Sequence, residues 1–456
     1  MVSKRAQQRL ASSGTAGVNL RMISNPSGLR WLAGLLPVPA LMLLSTSFAC
    51  AADETQWPRW RGPRDNGTAE PNTYPIKWDA QTNLLWKVPM PGKGCSTPMV
   101  WNRHIYVTAP ADGEDTVLAF GWSGEKLWQT KLGREQPGKN PNGSGSNPSP
   151  ATDGTAVFVG FKSGRFAALD FDGKIRWQIN IVERFGPNML NWDYGASPVL
   201  TQKDVIVTRM HHGESWLAAF DKLTGEMRWK TARNYETPTE NDNGYTTPLV
   251  ITFHGKEALL AWGGEHLTIH DAADGKLLWS CGGFNPGASP GQNWPAVASP
   301  IVVGDIAVVA FGRSDRGMPR LHGIKLSGDG DVTATNRLWM RTDVGTFVPT
   351  PAVYGDRCYL LRDRGEVECL DPANGRTLWS GAFPKSGSNF YASPVIADGR
   401  LFAVRQDGAA FVAQVDGKLE LLAENAMGDR VYASPVLVAN RMFIRGENNL
   451  FCLGAR

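Results

Sequence analysis

No two cysteines are adjacent anywhere in the 456 residues, and the chain holds only 6. A disulfide between neighbouring cysteines is therefore excluded. Histidine is scarce, with 7 residues, and no two clusters of ligating side chains stand at metal-site spacing. Near the N-terminus the apolar stretch at residues 31–44 falls short of the roughly 20 residues that a membrane-spanning helix needs. Acidic residues are missing altogether before Asp53.

What does stand before residue 52 is basic and apolar. Lys4, Arg5, Arg9, Arg21 and Arg30 precede the apolar stretch, and Ala49 and Ala51 fit a small-x-small cleavage site. Residues 1–51 read as an export signal, with translation from Met22 an equal alternative of more ordinary length. Cys50 offers lipid anchoring as a second outcome, although Ser47-Phe48-Ala49-Cys50 lacks the Leu expected three residues before a lipidated Cys. Without residues 1–51 the chain has 42 basic and 43 acidic residues, a net charge of −1. The basic character belongs to the signal, so nothing in the mature charge points to nucleic acid or an anionic membrane surface. The expected location is outside the cytoplasm, in the periplasm or cell envelope, with no membrane span.

Eight times a Ser or Thr stands before a Pro that opens an apolar run: Thr97-Pro98, Ser149-Pro150, Ser197-Pro198, Thr247-Pro248, Ser299-Pro300, Thr350-Pro351, Ser393-Pro394 and Ser434-Pro435. The intervals, about 41 to 52 residues, match one propeller blade. Seven Trp residues (Trp86, Trp128, Trp177, Trp229, Trp279, Trp339 and Trp379) close short strand-like stretches, and Leu421 takes the eighth slot. The first Trp precedes the first mark, and no Trp strand follows Ser434-Pro435, so the two ends of the chain complete one blade together. The expected fold is all-β: an eight-bladed β-propeller of four-stranded antiparallel blades over residues 78–456, closed by an N-terminal strand that completes the last blade. Residues 52–77 form an N-terminal extension.

Within a repeat, four short runs, here labelled strands A to D, lie between Gly, Asp and Asn punctuation. Pro is tolerated at the start of strand A because its missing N–H is not needed there. The C-to-D turn repeats as Asp170, Gly173, Trp177; Asp221, Gly225, Trp229; Asp271, Gly275, Trp279; and Asp371, Gly375, Trp379. Gly supplies the positive φ of the turn, and the Trp is expected between neighbouring blades. Blade 7 has no Trp, which predicts weaker packing against blade 8. Cys358 and Cys369 flank one hairpin, so a bridge between them is conceivable. Cys369 and Cys452 share a place in their repeats, which favours buried apolar side chains.

The run Ala219-Phe220-Asp221-Lys222-Leu223-Thr224-Gly225-Glu226-Met227-Arg228-Trp229 resembles the tryptophan-docking motif of the pyrroloquinoline-quinone-like eight-bladed propellers. Trp57-Pro58-Arg59-Trp60-Arg61-Gly62-Pro63 is similar to the leading segment of exported members, and either plugs one end of the channel or lies along an outer strand. The resemblance covers about residues 57–456 and is closer to the outer-membrane assembly lipoprotein (BamB-like) branch than to the quinoprotein dehydrogenases. That branch implies a non-catalytic scaffold, whereas the dehydrogenases imply Ca²⁺, pyrroloquinoline quinone and adjacent cysteines over the cofactor, which this chain lacks.

Oxygen ligands for Ca²⁺ have candidates in Asn188, Asn191, Asp193, Asn241, Asp242 and Asn243, against the ordinary reading of loop polarity. His211-His212 with Glu214 lies in a B-to-C hairpin, where adjacent side chains point to opposite faces. His266 and His270 are spaced as a helical pair, but Leu267-Thr268-Ile269 alternates as a strand. Asn142-Gly143-Ser144 matches a glycosylation pattern of little meaning here, and Gly143-Ser144-Gly145-Ser146 is a flexible loop. Two repeated surface features remain. The D-to-A loops carry rings at Trp192, Tyr194, Tyr245, Trp294, Phe347, Phe390, Tyr391 and Tyr432. Where strand B ends, Arg209, Arg362, Arg405 and Arg445 recur, with Arg313 nearby. Gathered round a central depression, these would bind a peptide, a sugar or a planar cofactor, although each ring can pack beside its own strand and each Arg pair with a local acid. The expectation is an exported binding or scaffolding module that contacts a cell-envelope protein or peptide, with no cofactor. A dehydrogenase using pyrroloquinoline quinone and Ca²⁺, or a carbohydrate-binding propeller, stands as the alternative.

Overall fold

Each Ser/Thr-Pro pair opens the innermost strand of a blade. In the computed structural model, which describes residues 56–238, 242–285, 294–313 and 318–455, the strands form eight sheets of four antiparallel strands each, the fourth of which gains a short parallel fifth strand, Gly330–Asp331, beside Trp279 and Ser280. Residues 52–456 make one unit. The export signal, Met22, Cys50 and Asn241 lie outside the described residues. Blade 3 shows the pattern: Val199–Leu200, Asp204–Arg209, Trp216–Asp221 and Met227–Ala232 pair in that order. The blade ending the chain, Val436–Val438, Arg441–Arg445 and Asn449–Gly454, takes Leu84–Pro89 as its outer strand. Among the described residues, the one helix is Ile181–Phe185, and no helix is long and apolar enough to cross a membrane.

The interior is apolar because strands B and C are buried on both faces, as the runs Val205-Ile206-Val207 and Leu217-Ala218-Ala219-Phe220 require. Between blades, the indole N–H of one strand D donates to a carbonyl in the next blade's C-to-D turn. The pairs include Trp128 to Phe171 at 2.9 Å, Trp177 to Lys222 at 2.8 Å and Trp279 to Ser327 at 3.0 Å. The turn glycine sits on the preceding blade's ring: a Cβ on Gly225 would lie 2.7 Å from Trp177. Glycine there answers two needs, a φ of +73° and room for an indole.

Blade 7 corrects the expected register. The strands Ala409–Gln414 and Glu420–Ala426 carry a bulge after Val412, which pairs with Ala423, while Ala413 pairs with Leu421. In blade 6 the corresponding partners are Trp379 and Thr377. Ala423 therefore stands where Trp stands elsewhere, and Leu421 is 43% exposed. The reason is topological. Blade 8 receives its outer strand from the other end of the chain, so it has no continuous C-to-D turn on which an indole could dock. Trp78 packs there instead, with its N–H 3.3 Å from the Met427 sulfur and its backbone N–H on Asn425. The resulting cluster joins Val412, Val436, Phe443 and Trp78.

Cys358 and Cys369 are unbridged. Cys358 pairs with Leu370 and Cys369 with Tyr359, one residue out of step, so they occupy opposite faces of the sheet and separate clusters. His266 and His270 lie in the strand His266–Asp271. Burial takes the His270 imidazole down to about 4, so it stays neutral.

The leading segment plugs the channel. Trp57 pairs with Val100 in blade 1, the Pro58 carbonyl accepts from Thr152 in blade 2, Asn66 from Val353 in blade 6, and Gly67 from Ile396 in blade 7. Arg61 crosses beneath, donating to the carbonyls of Pro351 at 3.0 Å and Pro394 at 3.1 Å.

Candidate functional site

The Ser and Thr residues before the prolines form a closed ring. The N–H of Thr97 donates to Ser149 Oγ, Ser149 to Ser197, Ser197 to Thr247 and Thr247 to Ser299, over 2.9 to 3.0 Å. Ser299 continues to Thr350, Thr350 to Ser393, Ser393 to Ser434, and Ser434 returns to Thr97, over 2.9 to 3.1 Å. The proline that follows biases each of these residues to an extended backbone, and that fixes where its N–H points. Each hydroxyl spends its oxygen as an acceptor and keeps its own O–H to donate. Among the described residues no acceptor faces these eight hydrogens.

Above the ring lies a cavity of about 450 Å³. Six ring residues line it, with Trp60 of the plug, the rings of Trp192, Tyr245, Phe347, Tyr391 and Tyr432, and the amides of Asn140, Asn142 and Asn147. One wall is a built network. Asn142 Nδ2 donates to Tyr391 Oη at 3.0 Å, and Gln406 Nε2 donates to Asn142 Oδ1 at 2.8 Å and to Tyr432 Oη at 3.2 Å. Opposite, Tyr245 Oη accepts the Trp192 N–H at 3.0 Å. Among the described large apolar side chains left exposed, Trp192, at 47%, is the one aromatic.

Charge in the wall is mostly spent. Asp193 meets Lys162 Nζ at 2.6 Å and accepts the N–H groups of Lys139 and Asn140. Arg313 also lines the cavity. Its charge helps ionise Asp363, which burial nevertheless pushes up to about 6. Asp363 accepts the N–H groups of Phe347 and Val348, which anchors that part of the wall.

The cavity thus brings together Trp192, Tyr245, Tyr391 and Tyr432. Trp294 stands behind them, edge-on to Phe347 at 5.2 Å. Tyr194 is buried with its hydroxyl on the Thr208 carbonyl, and Phe390 belongs to a blade core. The four strand-B arginines do not line the cavity. Arg209 pairs with Glu214 at 2.7 Å, Arg362 with Glu368 at 3.3 Å, and Arg405 with Asp407 at 3.0 Å. Arg445 is fully buried and donates to the carbonyls of Gly92 and Gly446. Of the oxygen candidates, Asn188 caps its own turn at Leu190, and Asp242 faces His212 at 3.1 Å. No group of three His, Cys, Asp or Glu side chains converges among the described residues. Asn142 and the ring hydroxyls lay within motifs that read as a glycosylation pattern and as strand punctuation. The signal for the ring was the hydroxyl itself, present at all eight marks.

A family model described as outer membrane protein assembly factor BamB matches residues 72–213, 123–381 and 363–453. The outer membrane protein assembly factor BamB of Burkholderia pseudomallei (strain K96243) is 25% identical over 351 residues, covering 70% of this chain and 84% of the relative. BamB from Moraxella catarrhalis matches in structure with a TM-score of 0.59 at 14% identity, over 81% of this chain and 99% of that one. A europium-containing methanol dehydrogenase matches with a TM-score of 0.66 at 12% identity, over 88% and 98%. At such identities the structural likeness shows the fold alone.

Proposed function

Since the chain belongs to the outer membrane protein assembly factor BamB family, we propose that it is an exported, non-catalytic binding protein of the cell envelope. It holds a partner protein on the face that carries the cavity mouth and contributes to outer-membrane protein assembly. The observation that carries the non-catalytic part is the state of Asp193. A quinone-dependent alcohol oxidation needs a carboxylate base and oxygen ligands for Ca²⁺. Asp193 is the one carboxylate among the described residues of the wall, and its oxygens are committed to Lys162 and two N–H groups. Pyrroloquinoline quinone and Ca²⁺ fit this donor set poorly.

Two experiments test the reading. Tagged protein expressed with its own N-terminus and crosslinked in cells is expected to co-purify with an envelope protein. Titration with pyrroloquinoline quinone in Ca²⁺ buffer, followed by a dye-linked alcohol assay, is expected to show neither saturation nor turnover. A quinone that binds and turns over would overturn the reading.

A further inference from the structure

We infer that the central cavity is a binding site for a neutral carbohydrate of one or two pyranose rings. The inference shares a face with the assembly reading but does not depend on it. Sugars present C–H faces that lie on aromatic rings and hydroxyls that pair with amides and other hydroxyls. The cavity offers both. Trp60 and the half-exposed Trp192 line it, and the rings of Tyr391 and Tyr432 stand 5.9 Å apart at a tilt of 43°. Polar groups converge between these rings. Thr97, Ser149, Ser197, Thr247, Ser393 and Ser434 line the cavity, and the hydroxyl of each accepts a backbone N–H while keeping a hydrogen to donate. Tyr391 Oη, already accepting from Asn142, likewise keeps its own hydrogen.

Charge and shape argue against other occupants. Asp193 and Lys162 neutralise each other at 2.6 Å, and Arg313, which also lines the cavity, interacts with the Asp363 carboxyl, so the wall favours a neutral ligand over an ion. A peptide added as a strand needs free backbone N–H groups, whereas those of the ring are spent on the neighbouring hydroxyls. The volume, about 450 Å³, falls within the roughly 300–1,000 Å³ of small-molecule sites. The network of Asn142, Gln406, Tyr391 and Tyr432 fixes the wall before any ligand arrives, which lowers the entropic cost of binding.

The test is calorimetric titration of the purified full chain with maltose, cellobiose and N,N′-diacetylchitobiose, and separately with an extended peptide of alternating Tyr and Ser. Saturable binding of at least one disaccharide is expected, weakened about tenfold or more, some 1.4 kcal/mol, in Trp192→Ala and in Tyr391→Phe. Trp192→Ala should keep the parent's thermal midpoint, since Trp192 is half exposed, whereas Tyr391→Phe keeps the ring but loses the acceptor of Asn142 Nδ2 and should lower the midpoint only slightly while remaining folded. No saturation by any of the three sugars would overturn the inference. So would binding that survives both substitutions, or saturation by the peptide alone. Failure here alongside recovery of an envelope partner leaves the assembly reading in place, and the reverse result separates them the other way.

Discussion

Thr350 shows what one hydroxyl contributes. It is buried, and its Oγ1 accepts the Ser299 N–H at 2.9 Å. Valine has the same shape without the acceptor, so Thr350→Val leaves a buried N–H without a partner and should cost about 1–3 kcal/mol, read from the midpoint of chemical denaturation. Asp363 gives a second residue-scale prediction. Its carboxyl is pushed up to about 6 by burial, against an unfolded value near 3.9. A raised acid favours the protonated folded state, so its stabilising share is full below about pH 4 and lost as the pH rises through about 6. Asp363→Asn removes that titration. Stability of the parent relative to the variant should fall between about pH 4 and 6 by about 3 kcal/mol, and parallel curves in urea titrations across that range would refute the assignment. Neither role was legible beforehand. A Ser or Thr before Pro looks like punctuation until the partner blade is in place, and the acids beside the strand-B arginines, Asp363 among them, read as local partners, because the N–H groups of Phe347 and Val348 reach Asp363 only once the intervening 15 or 16 residues fold back.

At the scale of the element, the period was legible and the register was not. Spacing of Ser/Thr-Pro and Trp gave the blades because every repeat must present the same inner strand and the same outer ring. Counting from the turn put Leu421 in the place of Trp, yet a bulge between Val412 and Ala413 shifts the outer strand and puts Ala423 there. A bulge leaves little trace in composition. The contrast between blades can be measured. Trp279 is fully buried and bonded to Ser327, so Trp279→Ala should cost about 3–5 kcal/mol. Leu421→Ala, at an exposed site, should stay within about 0.5 kcal/mol. Equal losses in thermal or denaturant midpoints would contradict the observed register.

For the whole molecule, closure is the decisive event. The order of marks made it legible, since the strand Leu84–Pro89 precedes the first mark and pairs with Asn449–Gly454 near the other end of the chain. The plug was legible only as one of two places for the leading segment, because it occurs once and has no repeat to betray its place. It ties blades 1 and 2 to blades 6 and 7, and Arg61 is its centre. Burial takes this guanidinium down to about 9, with Asp65 opposing the shift, and both terminal nitrogens donate to prolyl carbonyls. Hydrogen bonds from a charged group contribute about 1.5–3 kcal/mol each, while the buried charge itself is costly, so Arg61→Ala should destabilise by about 2–4 kcal/mol. Because the plug spans separate blades, that loss should appear in the unfolding of the entire propeller. A single denaturation transition, shifted and followed equally by tryptophan fluorescence and far-UV circular dichroism, is the expected result. An early separate step carrying only part of the fluorescence change would mean that the plug detaches first and that the ring of hydroxyls holds the blades without it.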